Sequence, residues 1–189
     1  MSESEFHVHG AHEHEMEHSS HTSGSSSLAV ATAILATVGA LFSYMGGSTQ
    51  ANAALFKNNA AIKKTEAANQ WNFYQAKSSK QNMSELSAEL MTQPDKKEKY
   101  LEAVERYKKE KEEIKAKAEG LEKESLDWDE QSEQQMHQHH RWAQATTSIQ
   151  VSIALAAIAL LTRRRWMEYM MYGLAAIGVG LGALAYLHV

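Results

Sequence analysis

The chain has 189 residues, no cysteine and a formal net charge of −4. Without cysteine it forms no disulfide, no zinc–thiolate site and no cysteine nucleophile. Residues 46–142 hold 16 Lys and Arg against 17 Asp and Glu, interleaved along the segment, which leaves no basic stripe for a nucleic acid. Glycine-rich phosphate loops and nucleophile elbows are also missing, so the sequence gives no support to nucleotide binding or serine catalysis. The apolar residues are gathered into three uncharged blocks, and the negative mean hydropathy averages over two unlike kinds of segment.

Residues 1–27 carry His7, His9, His12, His14, His18 and His21 among Glu3, Glu5, Glu13, Glu15 and Glu17, followed by a Ser/Gly run. This composition reads as a disordered His/Glu-rich tail. Imidazoles and carboxylates together also make it a weak collector of divalent metal, without the fixed geometry needed for selectivity. No Lys or Arg precedes the first apolar block, and that block exceeds the length of a secretory core, so cleavage is not expected.

Leu28–Met45 is the first apolar block, and at about 1.5 Å per residue it covers the hydrocarbon layer as a helix. Residues 46–142 follow, rich in Glu, Lys, Gln and Ala, the composition of long exposed helices. Pro94 is the single proline of the chain and lies at the midpoint of this segment. A helix interior does not hold proline, so Pro94 marks the turn of an antiparallel hairpin with two arms of about 70 Å. Asp95 is expected to cap the returning arm, with Glu98 three residues on in capping-box spacing.

The returning arm carries a coiled-coil seam in alternating steps of four and three: Tyr100, Val104, Tyr107, Lys111, Ile114, Ala118, Leu121, Ser125, Trp128, Ser132, Gln135, His139, Trp142, Thr146 and Ile149. The outgoing arm shows two stripes. Leu55, Ile62, Ala76, Met83, Leu86 and Leu90 form one, and Ala60, Ala67, Trp71, Tyr74 and Ser78 the other. Two stripes imply two partners, the returning arm and a second copy, or else one broad contact with a single partner.

At the foot of the returning arm, His137, His139 and His140 are candidate metal ligands, to be completed by another subunit; a polar collar at the membrane surface is the plainer reading. The second block, residues 143–162, and the third, residues 169–187, are joined by the turn 163–168 with Arg163, Arg164 and Arg165. Three arginines in so short a loop mark a cytoplasmic side, which puts the N-terminus in the cytoplasm and the hairpin outside; Lys57, Lys63, Lys64 and Arg141 pull the other way. Gly178 and Gly182 in the third block, and Gly39, Ser43 and Gly47 in the first, have the spacing that lets helices approach closely in lipid.

The stretch ANQWNFYQAKSSKQ ending at Gln81, HHRW before the second block and ALLTRRRW across its end resemble a family of bacterial membrane proteins known as domain of unknown function 4337. The resemblance covers nearly the whole chain and implies a multi-pass protein of the bacterial inner membrane. It implies no activity, but it singles out Gln70, Trp71, Tyr74, Gln75, Ala76 and Lys77. Trp71 and Tyr74 share a helix face, and packing against Ile114 to Leu121 is expected if the arms pair about Pro94.

The expected fold is therefore an all-α membrane protein: three transmembrane helices, with an antiparallel coiled-coil hairpin between the first and second. The function expected is non-enzymatic, a self-associating scaffold, spacer or accessory subunit that needs no cofactor, with the lipid bilayer, further copies of itself and a protein docked on the hairpin as partners. The alternative is an oligomeric small channel or metal-handling protein with the His-rich tail as ion collector, which a polar ring such as Thr32, Thr37 or Ser43 facing an axis would favour.

Overall fold

A computed structural model describes the backbone of residues 11–187 and the side chains of residues 26–187. The described residues form three helices and no strand: α1 (Ala11–Leu90), α2 (Pro94–Thr162) and α3 (Arg165–Tyr186). α1 begins inside the stretch expected to be a disordered tail. Once an apolar segment has nucleated a helix, each further residue adds a hydrogen bond, and no proline stands in the way. Residues 1–10, with His7 and His9, lie outside the described residues, as do the side chains of His12, His14, His18 and His21.

The turn between α1 and α2 occupies residues 91–93, and Pro94 is the first residue of the returning helix rather than the apex. The Lys97 amide donates to the Gln93 carbonyl at 3.0 Å, which makes Gln93 the N-cap. Asp95 is thus displaced from the cap into the first turn. Proline explains the shift, because at the first helical position its missing N–H costs nothing and its ring drives the preceding residue out of helical geometry. Asp95 still places a negative charge at the positive end of the helix dipole.

The connection from α2 to α3 is also tighter than the sequence suggests: Arg163 and Arg164 make the turn, while Arg165 to Glu168 already belong to α3. The Arg163 amide donates to the Ala159 carbonyl at 2.9 Å, and Arg163 adopts a left-handed φ of 50°. This is the helix-ending geometry that glycine usually supplies.

The chain divides into two compact units, one of Gln50–Met136 and one made of the chain up to Thr49 together with His137 onward. Within Gln50–Met136, α1 and α2 pack side by side. Ala53, Ala60, Ala67, Tyr74, Gln81 and Ala88, seven residues apart, are all buried or half-buried. So is every seam position from Tyr100 to Gln135. Alanines at Ala53, Ala60, Ala67 and Ala118 are at most 5% exposed, and such small side chains bring the backbones close enough for side chains to reach the opposite main chain. Ser125 and Ser132 donate their hydroxyls to the carbonyls of Ala60 and Ala53 at 2.9 and 2.8 Å.

In the other unit, α1, α2 and α3 meet around Ile149, which is fully buried. Leu35 and Ala175 pack on it, and a second cluster joins Leu28, Ala156, Ala159 and Met171. Ser152 donates to the Met171 carbonyl at 2.7 Å. A Cβ added at Gly178 would lie 2.8 Å from Ile149 Cδ1, and one at Gly182 only 2.2 Å from Phe42 Cζ, so both glycines expected at a helix contact are at one. In α1 the contact is made by Gly39 and Gly46, while Ser43 and Gly47 are exposed. All three helices are long and apolar enough to cross a membrane.

Candidate functional site

The residues that the sequence singles out around Trp71 lie in the unit Gln50–Met136, where α1 presents its second stripe to α2. Ala60 and Ala67 are buried, and Trp71, Tyr74 and Ser78 are half-buried. Trp71 Nε1 donates to Glu122 Oε1 at 2.8 Å, and its ring stands edge-on to Tyr74 at 5.6 Å. Lys77 Nζ is 2.5 Å from Glu110 Oε2 and 5.4 Å from the Tyr107 ring centroid. Gln70 is half-buried and Gln75 exposed, so the motif splits between the α2 face and the surface.

A polar ladder accompanies this packing. Lys57 pairs with Asp129 at 2.5 Å and Lys63 with Glu124 at 3.1 Å. Lys111 donates to Gln81 Oε1 at 3.0 Å, with its ammonium 5.0 Å over the Tyr74 ring. In the ion pairs between the helices α1 supplies the cation and α2 the anion. The hydrogen bond from Lys77 holds the Glu110 carboxyl below its ordinary range, against a smaller opposing effect of burial. The hydrogen bond with Asp129 raises Lys57, and those with Glu124 and Glu66 raise Lys63. Solvent screens exposed pairs of this kind, so the ladder fixes register more than it stabilises.

Between α1 and α2 lies an open groove of about 520 Å³, floored by Ala60, Ala61, Ala67 and Ala68 and closed at one end by Trp71. Of the charged residues that line it, Lys57 pairs with Asp129 and Glu122 accepts from Trp71, and Lys64 also lies there. Replacing Trp71 with alanine is expected to cost about 2 kcal/mol, less than the usual penalty for a fully buried Trp because the ring is half-buried. Trp71→Phe should cost about 1 kcal/mol, for the lost bond to Glu122. Hydrogen exchange of residues 50–136 in the full-length protein measures both.

His137, His139 and His140 do not converge. The Nδ1–H of His139 donates to the Gly46 carbonyl at 2.8 Å, His140 lies 5.7 Å from it ring to ring, and His137 is exposed. Adjacent helical residues point about 100° apart, which separates His139 from His140. Among the described residues no three His, Cys, Asp or Glu side chains are grouped to hold a metal. In α1, Thr32 and Ser43, eleven residues apart, lie on one helix face. Thr32 and Thr37, five residues apart, point about 140° away from one another, and each hydroxyl donates to a carbonyl one turn back in its own helix.

The model of the family described as Domain of unknown function (DUF4337) matches residues 25–188. The chain belongs to the DUF4337 family. Nothing among the curated proteins or the solved structures matches it. For this DUF4337 chain the motif QW..YQAK reads as the packing centre of a helix pair. Of its partners, Tyr107 and Lys111 stand in the seam read from the sequence, while Glu122 and Glu110 carry no signal of their own, being charged residues on a helix rich in them. The pairing of α1 with α2 about the turn is what would have located them.

Proposed function

We propose that this DUF4337 protein is a non-enzymatic integral membrane protein that holds a closed helical hairpin, a coiled coil, at the membrane as a scaffold, spacer or accessory subunit. The observation that carries this reading is the division of labour along the chain. Three helices have the length and composition to cross a bilayer, while the polar segment spends its Trp, Tyr, Lys and Glu side chains on one another. Such a segment offers a shaped, rigid surface rather than convergent reactive groups.

The proposed orientation draws its support from the α2–α3 turn. Glycine would relieve the left-handed backbone at residue 163, by roughly 1 kcal/mol, yet arginine stands there with two more beside it. A strained cation in a two-residue turn supports a topogenic role for the charge, with the turn and the N-terminus cytoplasmic and the hairpin on the outer side of a bacterial inner membrane.

Because the chain has no cysteine, single cysteines report topology directly. A membrane-impermeant maleimide should label Glu112→Cys in intact cells and leave Arg164→Cys unlabelled until the cells are opened. The reverse pattern rejects the orientation. Release of the protein by alkaline carbonate rejects membrane integration itself.

A further inference from the structure

The face of α1 that points away from α2 is the feature that the packing of Gln50–Met136 leaves unused. α2 covers the seven-residue column Ala53, Ala60, Ala67, Tyr74, Gln81 and Ala88. Opposite it lies a second column of the same period, Leu55, Ile62, Asn69, Ala76, Met83 and Leu90, interleaved with Asn58, Thr65, Asn72, Ser79 and Leu86 at three-residue steps. All eleven positions are exposed, with Leu55 at 55%, Met83 at 71% and Leu90 at 71%.

None of the eleven is charged. The eight charged residues of this part of α1, Lys57, Lys63, Lys64, Glu66, Lys77, Lys80, Glu85 and Glu89, all lie elsewhere on the helix. A merely solvated face has no reason to exclude charge over five heptads. A coiled-coil seam does, since burying an unpaired charge costs several kcal/mol. The α2 surface is different: among the large apolar residues of this unit, α1 exposes Leu55, Ile62, Phe73, Met83, Leu86 and Leu90, and α2 only Leu101, Leu126 and Met136.

We infer that this face is the seat of a second copy of the chain, paired in parallel along Leu55–Leu90 as a two-stranded coil. The inference rests on the membrane-anchored reading above, which requires neighbouring copies to run in the same direction. Parallel pairing sets Ala61 beside Glu66 of the other copy, Ala68 beside Phe73, Gln75 beside Lys80 and Asn82 beside Ser87, with no like charges together. Asn69 falls at the seam position where a single asparagine favours two strands in one register. The contact is about 54 Å long and about 10 Å wide, so about 500 Å² from each copy, the lower end of what a specific dimer buries. Anchoring in one bilayer raises the effective concentration and makes so modest an area sufficient.

Single cysteines at Ile62, Asn69 and Met83 in the full chain, oxidised mildly in native membranes and again in detergent, test the proposal. Each should give a homodimeric disulfide at least tenfold faster than Glu112→Cys or Lys123→Cys on the outer face of α2. Equal rates at all five positions overturn it. With the Ile62→Cys and Met83→Cys chains mixed in one membrane, cross-linking of position 62 only to position 83 means antiparallel pairing and overturns it too, as does a cross-link to a different protein. In a separate arm, Ile62→Glu with Met83→Glu should weaken dimerisation at least tenfold while the helical circular dichroism is kept; a dimer that persists rejects this face. The detergent arm stands whether or not carbonate releases the protein, so the failure of the interface and the failure of the membrane reading are told apart.

Discussion

Ala118→Leu is expected to loosen the helix pair of residues 50–136 by about 3 kcal/mol, which hydrogen exchange of the full-length protein would read as about a hundredfold faster opening of those residues. The size follows from geometry. Ala118 has no exposed surface, and α1 presents Ala60 and Ala67, themselves almost fully buried, in the same part of the pair. A leucine adds three carbons where the helix separation has been set by alanine, so the helices must part. Parting removes more than packing: the hydroxyls of Ser125 and Ser132 reach the Ala60 and Ala53 carbonyls only because the backbones are close. Each bond lost there is worth about 1 kcal/mol. Ala116→Leu, two residues away on the exposed side, makes the same chemical change without the obstruction and should stay within about 0.5 kcal/mol. Equal costs at the two positions would mean that α2 does not approach α1 through its alanines.

Periodicity is what made the returning helix readable. A column stepped by four and three along α2 meets a neighbouring helix whatever residues occupy it, and its positions from Tyr100 to Gln135 are indeed shielded, polar ones included. Pro94 is legible for the same kind of reason, since proline constrains the backbone directly. The outgoing helix was harder because its two stripes have similar composition. Only the position of α2 shows that Ala60, Ala67, Trp71, Tyr74 and Ser78 face it while Leu55, Ile62 and Met83 do not. Trp71 and Tyr74, expected from the sequence to pack on the returning arm, are part of the chain's own hairpin. Ser125, Ser132 and His139 look like flaws in an apolar seam until the carbonyls of Ala60, Ala53 and Gly46 supply their partners, and no pattern in one helix can announce a carbonyl on another. The exchange of Gly47 for Gly46 as the contact glycine has a similar origin: one residue turns a helix by about 100°, and spacing rules do not fix rotation to that accuracy.

Gly178→Val is the counterpart in the other unit, and about 3 kcal/mol of destabilisation is expected there, measured as exchange of residues 137–187 or as the thermal midpoint of the detergent-solubilised chain. Even the Cβ alone would stand 2.8 Å from Ile149 Cδ1 and 3.2 Å from the Ile149 backbone nitrogen. An isoleucine tip could ordinarily turn aside. Here its other branch is held, because Ile149 Cγ2 lies 3.1 Å from where a Cβ of Gly39 would be, so moving away from α3 drives the side chain into α1. Gly180→Val meets nothing within 4 Å and serves as the control, with an effect of about 0.5 kcal/mol or less. The mechanism can be separated from a general intolerance of valine by a double-mutant cycle. Ile149→Ala alone opens a cavity at the junction of the three helices and should cost about 3 kcal/mol. Combined with Gly178→Val it vacates the space that the valine needs, so the pair should cost at least 2 kcal/mol less than the sum of the single changes. Simple additivity would place the strain of Gly178→Val somewhere other than against Ile149, and the three-helix junction would lose its central contact.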